Sequence, residues 1–124
     1  MSILKDYKVN FLVKRIKNSD YKLMKSISPS LDELFFEFRY VEECDMLLGI
    51  IDQQLSNLQS GEYFFPTQGL QLIKVTHSMT SIYNDVYEYK ANPNMTPNYK
   101  LPTADLKEIT ISWKKFVNGN NLLL

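Results

Sequence analysis

Apolar residues recur at the spacing of an α-helix over residues 42–58, and this pattern constrains the fold more than any other feature of the chain. The apolar positions fall on one side of such a helix: Met46, Leu47, Ile50, Ile51, Leu55 and Leu58. Glu42, Glu43 and Asp45 lie in its first turn, where negative charge interacts favourably with the helix dipole. The pattern predicts an amphipathic helix, which ends at Gly61 because a left-handed glycine commonly terminates helices.

The same spacing returns near the end of the chain, over residues 103–118. Its predicted core stripe is Leu106, Ile109, Trp113, Phe116 and Val117. The charged positions that face away from this stripe are Lys107, Glu108, Lys114 and Lys115. Pro102 precedes Thr103 as a candidate N-cap, Asp105 lies in the first turn, and Gly119 is a stop signal.

Alternating apolar and polar residues predict strands in the rest of the chain. Three of them precede the first helix, at residues 7–13, 21–27 and 34–40. The first of these stretches has an alternative, a helix with Ile3, Tyr7 and Phe11 on one side. Residues 70–75 and a return strand led by Ile82 predict a hairpin that reverses at the polar residues 76–80, and residues 90–98 predict a surface loop.

These elements predict the fold class. A chain of 124 residues with 44% hydrophobic content fits a single domain, residues 1–124. We expect an α+β layered domain, in which a mainly antiparallel sheet of about five strands is packed on one face by two amphipathic helices.

Composition argues against several classes of function. Charges at Lys5 and Asp6 interrupt the N-terminal segment, and no apolar run approaches the roughly 18 residues that span a bilayer, so we expect a cytoplasmic protein. One cysteine, Cys44, and one histidine, His77, cannot form an internal disulfide or a zinc site of the usual ligand number. Their separate positions, at a helix start and a hairpin turn, also argue against a nucleophile and base pair.

The sequence also offers neither a pair of catalytic carboxylates nor a phosphate-binding loop. Glu42 and Glu43 are neighbours in sequence and therefore point to different sides of a helix, which does not suit paired acid and base chemistry. The four glycines are scattered, so no phosphate-binding loop is predicted. We expect no catalytic residue, no metal and no cofactor, and hence a protein that is not an enzyme.

Charge is distributed unevenly, although the formal net charge is zero. Residues 1–30 carry seven basic residues and two acids, whereas residues 31–60 carry one arginine and seven acids: Asp32, Glu33, Glu37, Glu42, Glu43, Asp45 and Asp52. Gathered on one face, these acids would attract a basic partner; alternatively, the basic and acidic segments lie side by side and neutralise each other. Aromatic residues among the basic ones suggest base stacking, but the overall neutrality argues against nucleic-acid binding.

The C-terminal half resembles small immunity proteins encoded beside bacterial polymorphic and contact-dependent toxins. In both, a hairpin and a polar loop precede a closing helix, and the matching residues are Pro102, Thr103, Asp105, Leu106, Trp113 and Phe116. The resemblance covers about the last sixty residues and implies a cytoplasmic protein that binds and blocks one toxin domain. Such inhibitors tend to be acidic, and this neutral chain departs from that tendency.

A protein inhibitor of a cognate toxin, acting as a monomer or weak dimer, is therefore the leading functional hypothesis. The alternative is a small adaptor or structural subunit that works through protein contacts. The partner surface predicted from charge and from aromatic residues consists of Glu37, Glu42, Glu43, Asp45, Asp52, Tyr87, Tyr89 and Tyr99.

Overall fold

The computed structural model describes residues 2–56 and 61–119 of the 124-residue chain. Its helices are α1 (Ile3–Asp6), α2 (Pro29–Phe36), α3 (Val41–Ser56), α4 (Val86–Ala91) and α5 (Thr103–Asn118). Its strands are β1 (Asn10–Ile16), β2 (Ser19–Lys25), β3 (Tyr63–Pro66), β4 (Leu72–Val75), β5 (Met79–Tyr83) and β6 (Tyr99–Pro102). All pairings are antiparallel, which confirms the predicted α+β class, but the strands form two sheets: β1-β2 and β3-β4-β5-β6.

The two long helices, α3 and α5, pack against each other and against the four-stranded sheet. They share one hydrophobic core with it, and the fully buried residues from helices and sheet include Leu47, Ile51, Ile73, Val75, Ile82, Leu106, Ile109 and Trp113. Burying each such side chain stabilises the fold by roughly 1.5–3 kcal/mol. The opposite sheet face is partly covered by α4, where the Tyr89 ring lies 4.6 Å from the Tyr83 ring and 5.9 Å from the Phe64 ring.

The predicted apolar stripe of the first long helix is confirmed with one exception. Leu47 and Ile51 are fully buried, and Ile50 and Leu55 are half-buried against the core. Met46 is 68% exposed and does not belong to the core. Leu58 lies outside the described residues, as does the predicted end of the helix, although Gly61 does take the expected left-handed conformation, with φ of 75°.

The strand predicted over residues 34–40 is wrong, because residues 29–36 form helix α2. Ser28 is its N-cap and accepts a hydrogen bond from the Leu31 N–H at 3.4 Å, and Pro29 occupies the first turn. The buried residues Leu31, Leu34 and Phe35 have helical spacing. Capping and the turn upstream therefore outweigh the local alternation of the LFFEF sequence.

Several other elements also differ from the prediction. The first strand begins only at Asn10, after the short helix α1, so neither alternative for that stretch holds throughout. The return strand β5 ends at Tyr83, because Asp85 caps α4 by accepting the N–H of Tyr87 at 2.8 Å. Strands β3 and β6 were not predicted.

Thr103 is not the N-cap of α5, contrary to the prediction. It is the first helical residue, and its hydroxyl donates to the Thr76 carbonyl at 2.7 Å and lies 3.0 Å from the Thr80 hydroxyl. Thr103 therefore fastens the helix to the turn between β4 and β5. At the other end, Gly119 is the C-cap, as predicted.

The β1-β2 hairpin is fastened to the end of α5. The Phe11 ring stacks on Phe116 at 5.2 Å and lies 5.7 Å from Trp113. The Lys22 ammonium group donates to the carbonyls of Phe116 at 3.1 Å and Val117 at 3.0 Å, where the helix dipole favours positive charge.

Candidate functional site: an aromatic groove

An open groove of about 600 Å³ lies between the end of α2, the first turns of α3 and strand β3. We call it the aromatic groove and define it by six of its lining residues: Phe36, Phe38, Tyr40, Met46, Tyr63 and Phe65. The rings of Phe38 and Phe65 meet edge to face, with centroids 6.4 Å apart, and Leu47 lies beneath them in the core. The groove is thus continuous with the hydrophobic core.

The upper part of the groove exposes large apolar side chains to solvent. Tyr40 is 64% exposed and Met46 is 68% exposed, while Phe36 and Tyr63 are exposed to a lesser degree. Aromatic residues and methionine are enriched at the centres of protein interfaces, where methionine adapts its shape to a partner. This composition is typical of a surface that another protein covers.

Arg39 holds one wall of the groove in place. Its guanidinium group lies 4.6 Å from the centroid of the Phe36 ring and 5.0 Å from that of Tyr21. Such cation–π contacts contribute about 0.5–1 kcal/mol each at exposed sites. The Phe36 ring is therefore oriented before any partner arrives.

The connector between α2 and α3, residues 37–40, is anchored from two directions. The Glu43 carboxylate accepts the backbone N–H groups of Arg39 at 2.8 Å and of Tyr40 at 3.2 Å. The carbonyl of Phe38 accepts the indole N–H of Trp113 at 2.7 Å, and the Cys44 thiol lies 3.7 Å from the same oxygen. These bonds give the wall a fixed shape, which lowers the entropy cost of binding.

Glu37 connects this wall to the loop that follows β3. Its carboxylate accepts the backbone N–H of Gln68 at 3.2 Å. The other Glu37 oxygen and a Glu33 oxygen lie 3.2 Å and 3.4 Å from the place where a Cβ on Gly69 would stand. The two carboxylates thus approach the loop together and make this end of the groove acidic.

The structure separates the predicted acidic residues into two groups. Glu37 and Glu43 line the aromatic groove, and Glu42 is exposed beside Tyr40 in a neighbouring depression. Asp45 and Asp52 instead form ion pairs with α5. The distances are 2.5 Å from Asp45 to the Lys114 ammonium group and 2.8 Å from Asp52 to that of Lys107.

Two of the seven acids of residues 31–60 follow neither alternative considered for this segment, because they pair with lysines of α5. Part of the acidic charge is neutralised by α5 instead. The hydrogen bond from Lys107 to Asp52 raises the pKa of the lysine, since it favours the charged form. Asp45 and Asp52 therefore serve the contact between two helices.

None of the three predicted tyrosines lines the aromatic groove. Tyr87 is 63% exposed on α4, with the Lys90 ammonium group 5.8 Å from its ring. Tyr89 packs on the outer sheet face, as described above. Tyr99 is half-buried in β6, where burial raises the pKa of its hydroxyl.

Sequence reasoning missed Phe36, Tyr40, Met46 and Tyr63 as surface residues. Phe36 and Tyr40 were assigned to a strand that does not exist, and Tyr63 to no element. Met46 offered one signal, because it falls at the margin of the helical stripe, while Leu47 lies at its centre. A helical wheel centred on Cys44, Leu47 and Ile51 would have placed Met46 outside the buried face of the helix.

Cys44 and His77 have separate bonding partners. Burial raises the pKa of the Cys44 thiol to about 11, and its neighbour is the Phe38 carbonyl. The Nδ1 atom of His77 lies 3.1 Å from the Gln54 carbonyl oxygen. Within residues 2–56 and 61–119, no three His, Cys, Asp or Glu side chains are grouped so as to hold a metal ion, and no helix is long and apolar enough to cross a membrane.

Comparison with known proteins finds no matching protein family, no matching curated protein and no matching solved structure.

Proposed function

We propose that this chain is a stoichiometric protein inhibitor, an immunity protein that binds and neutralises a cognate bacterial toxin domain in the cytoplasm. The single observation that carries the binding part is the aromatic groove. The toxin part is supported by the sequence resemblance of the C-terminal half alone. Inhibition by association requires a shaped surface and no catalytic group of its own.

The groove has the composition and the rigidity that a protein-binding surface requires. Exposed Tyr40 and Met46 stand above half-buried Phe38 and Phe65, so a partner side chain that enters the groove is surrounded mostly by apolar residues instead of water. Interface residues of this kind contribute about 2 kcal/mol or more when they lie at the centre of a contact. The anchored connector keeps them in position.

The charge at the rim supports a basic partner surface. Within the groove, Glu37 and Glu43 stand against Arg39, and Glu33 approaches the same end. The neighbouring depression adds two acids, Asp20 and Glu42, and one further cation, Lys22, so the rim as a whole remains acidic. Complementary charge increases the rate of association and fixes the orientation of the partners. A toxin with a basic surface, such as a nuclease, fits this arrangement.

Co-expression with the product of the adjacent gene tests the proposal. We expect that product to be toxic alone and harmless when this chain is present, with a one-to-one complex in solution. Met46→Arg should abolish protection, because it places a cation at the exposed apolar rim, whereas Met79→Leu, in strand β5 outside the groove, should protect like the wild type. A product that is harmless alone, or toxic despite this chain, contradicts the proposal.

An adaptor or structural subunit is the second candidate, and strand β1 favours it because its outer edge pairs with no other described strand. The strand lies in a two-stranded sheet, and six of its seven residues are exposed. Light scattering on the purified chain separates the two candidates. A stable oligomer that does not bind the adjacent gene product supports the adaptor; a monomer or weak dimer that forms a tight one-to-one complex supports the inhibitor.

A further inference from the structure

Among residues 2–56 and 61–119, no strand pairs with the outer edge of strand β1. Ile16 and Ser19 flank a two-residue turn, so they exchange backbone hydrogen bonds, and the bonded positions alternate from there. Leu12 and Lys14 are therefore bonded to β2. The N–H and C=O groups of Phe11, Val13 and Arg15 point away from β2, towards the free edge of the sheet.

This edge also exposes aliphatic side chains. Leu12, Val13 and Ile16 are 39%, 42% and 44% exposed. An exposed edge strand with such side chains is a template for another strand, because both the backbone bonds and the apolar contacts are available. Most proteins cover or shorten an edge of this kind.

The hairpin that contains this edge is basic. The hairpin and the residues beside it carry six cations, Lys8, Lys14, Arg15, Lys17, Lys22 and Lys25, of which Lys22 is bound to carbonyls at the end of α5. Asp20 is the one acid between residues 8 and 25, and it pairs with Arg15 at 3.2 Å. The sign is opposite to that of the aromatic groove, so the two surfaces select different partners.

The aromatic residues of this region do not form a platform for bases. Phe11 is packed between Trp113 and Phe116, Tyr21 is covered by Arg39, and the Tyr7 hydroxyl donates to Asp105 at 2.6 Å. Binding of single-stranded nucleic acid depends on exposed rings that stack with bases. Aliphatic side chains and an open backbone edge favour an extended protein segment instead.

We propose that the outer edge of β1 binds an extended acidic segment of a partner protein, which adds as a third strand to the β1-β2 sheet. The backbone groups of Phe11, Val13 and Arg15 pair with it. The exposed Leu12, Val13 and Ile16 contact its apolar residues, and Lys14 and Lys17 attract its carboxylates. This docking surface is independent of the aromatic groove and goes beyond the inhibitor proposed above.

Amide hydrogen exchange measured by NMR tests this inference. The probe is the peptide acetyl-(Glu-Val)3-Glu-amide, and the comparison peptide is acetyl-(Lys-Val)3-Lys-amide. We expect the acidic peptide to slow exchange of the Phe11, Val13 and Arg15 amides by about fivefold or more, and to leave Leu12 and Lys14 unchanged because their bonds already exist. Equal protection by the lysine peptide, or none by either, overturns the inference.

Two variants and two further measurements sharpen the test. Val13→Pro removes an outward N–H without breaking a hairpin bond, so it should weaken peptide binding about tenfold while the fold persists. Lys14→Gln/Lys17→Gln should weaken binding and its dependence on salt. Protection of the same amides without peptide, increasing with protein concentration, would assign the edge to a second copy of this chain. Binding of octathymidylate more tightly than the acidic peptide would assign the edge to nucleic acid. Either result rejects the acidic segment.

Discussion

The hydrogen bond from Trp113 to the Phe38 carbonyl joins the core to the aromatic groove, and Trp113→Phe tests its importance. Trp113 is fully buried and lies against Phe11, Phe35 and Phe116. Loss of the indole N–H leaves the carbonyl only the weak Cys44 thiol, at a cost of about 1–2 kcal/mol. The smaller ring adds about 1 kcal/mol for the space left behind. We expect a total loss of about 2–3 kcal/mol.

Urea unfolding followed by far-UV circular dichroism measures this loss, since the substitution removes the single tryptophan. The melting temperature should fall by about 8–12 °C, at roughly 4 °C per kcal/mol for a domain of this size. Phe116→Leu is the matched control, because it shortens a half-buried ring of the same helix that donates no hydrogen bond. A loss below about 1 kcal/mol for Trp113→Phe, or one no larger than that of the control, would show that the hydrogen bond from Trp113 to the Phe38 carbonyl does not stabilise the fold.

Three further predictions follow from particular contacts. Burial raises the pKa of the Cys44 thiol to about 11 from an ordinary value of 9.0, so the unfolded chain loses this proton at a lower pH than the folded chain. The free energy of unfolding should therefore decrease between pH 9 and pH 11. In urea titrations, Cys44→Ser should remove the part of this decrease that the thiol causes. Lys17 and Asn18 both have positive φ in the hairpin turn, a conformation that Asn and Gly adopt more readily. Lys17→Asn/Asn18→Gly should therefore raise the free energy of unfolding by about 0.5–1 kcal/mol. An unchanged urea midpoint would count against this turn. Asp45→Asn and Asp52→Asn should each lower the urea midpoint only slightly, and 1 M salt should remove the difference. Partner binding measured by calorimetry should be unchanged, because both carboxylates face lysines of α5.

The elements that could be predicted from sequence are those whose apolar spacing extends over several turns. Both long helices fall in this group, because the stripe through Leu47 and Ile51 and the stripe through Leu106 and Trp113 repeat often enough to exclude a strand. The hairpin of β4 and β5 was also predictable, since polar residues separate two apolar runs. Strands β3 and β6 have four residues each, like β4, but both end in a proline, Pro66 and Pro102, which is atypical of a strand and hides them in the sequence.

The candidate site was only partly predictable, because its residues come from separate parts of the chain. Glu37 and Glu43 were selected for their charge, and they do line the groove. Tyr63 lines the groove together with Tyr40 and Met46, although it comes from a separate strand, and no local pattern indicates that the fold brings them together. Likewise, the pairing of Asp45 and Asp52 with α5 depends on the antiparallel packing of two helices that are distant in sequence.

We expect the aromatic groove to be the surface through which this chain binds its partner. Tyr40 and Tyr87 provide a matched pair of variants, since they are 64% and 63% exposed and only Tyr40 lies in the groove. The measurement is isothermal titration calorimetry of Tyr40→Ala and Tyr87→Ala with the product of the adjacent gene. If the groove binds the partner, Tyr40→Ala should have at least about a tenfold weaker affinity, and Tyr87→Ala should bind like the wild type. Equal affinities for the two variants, or a loss confined to Tyr87→Ala, would contradict it.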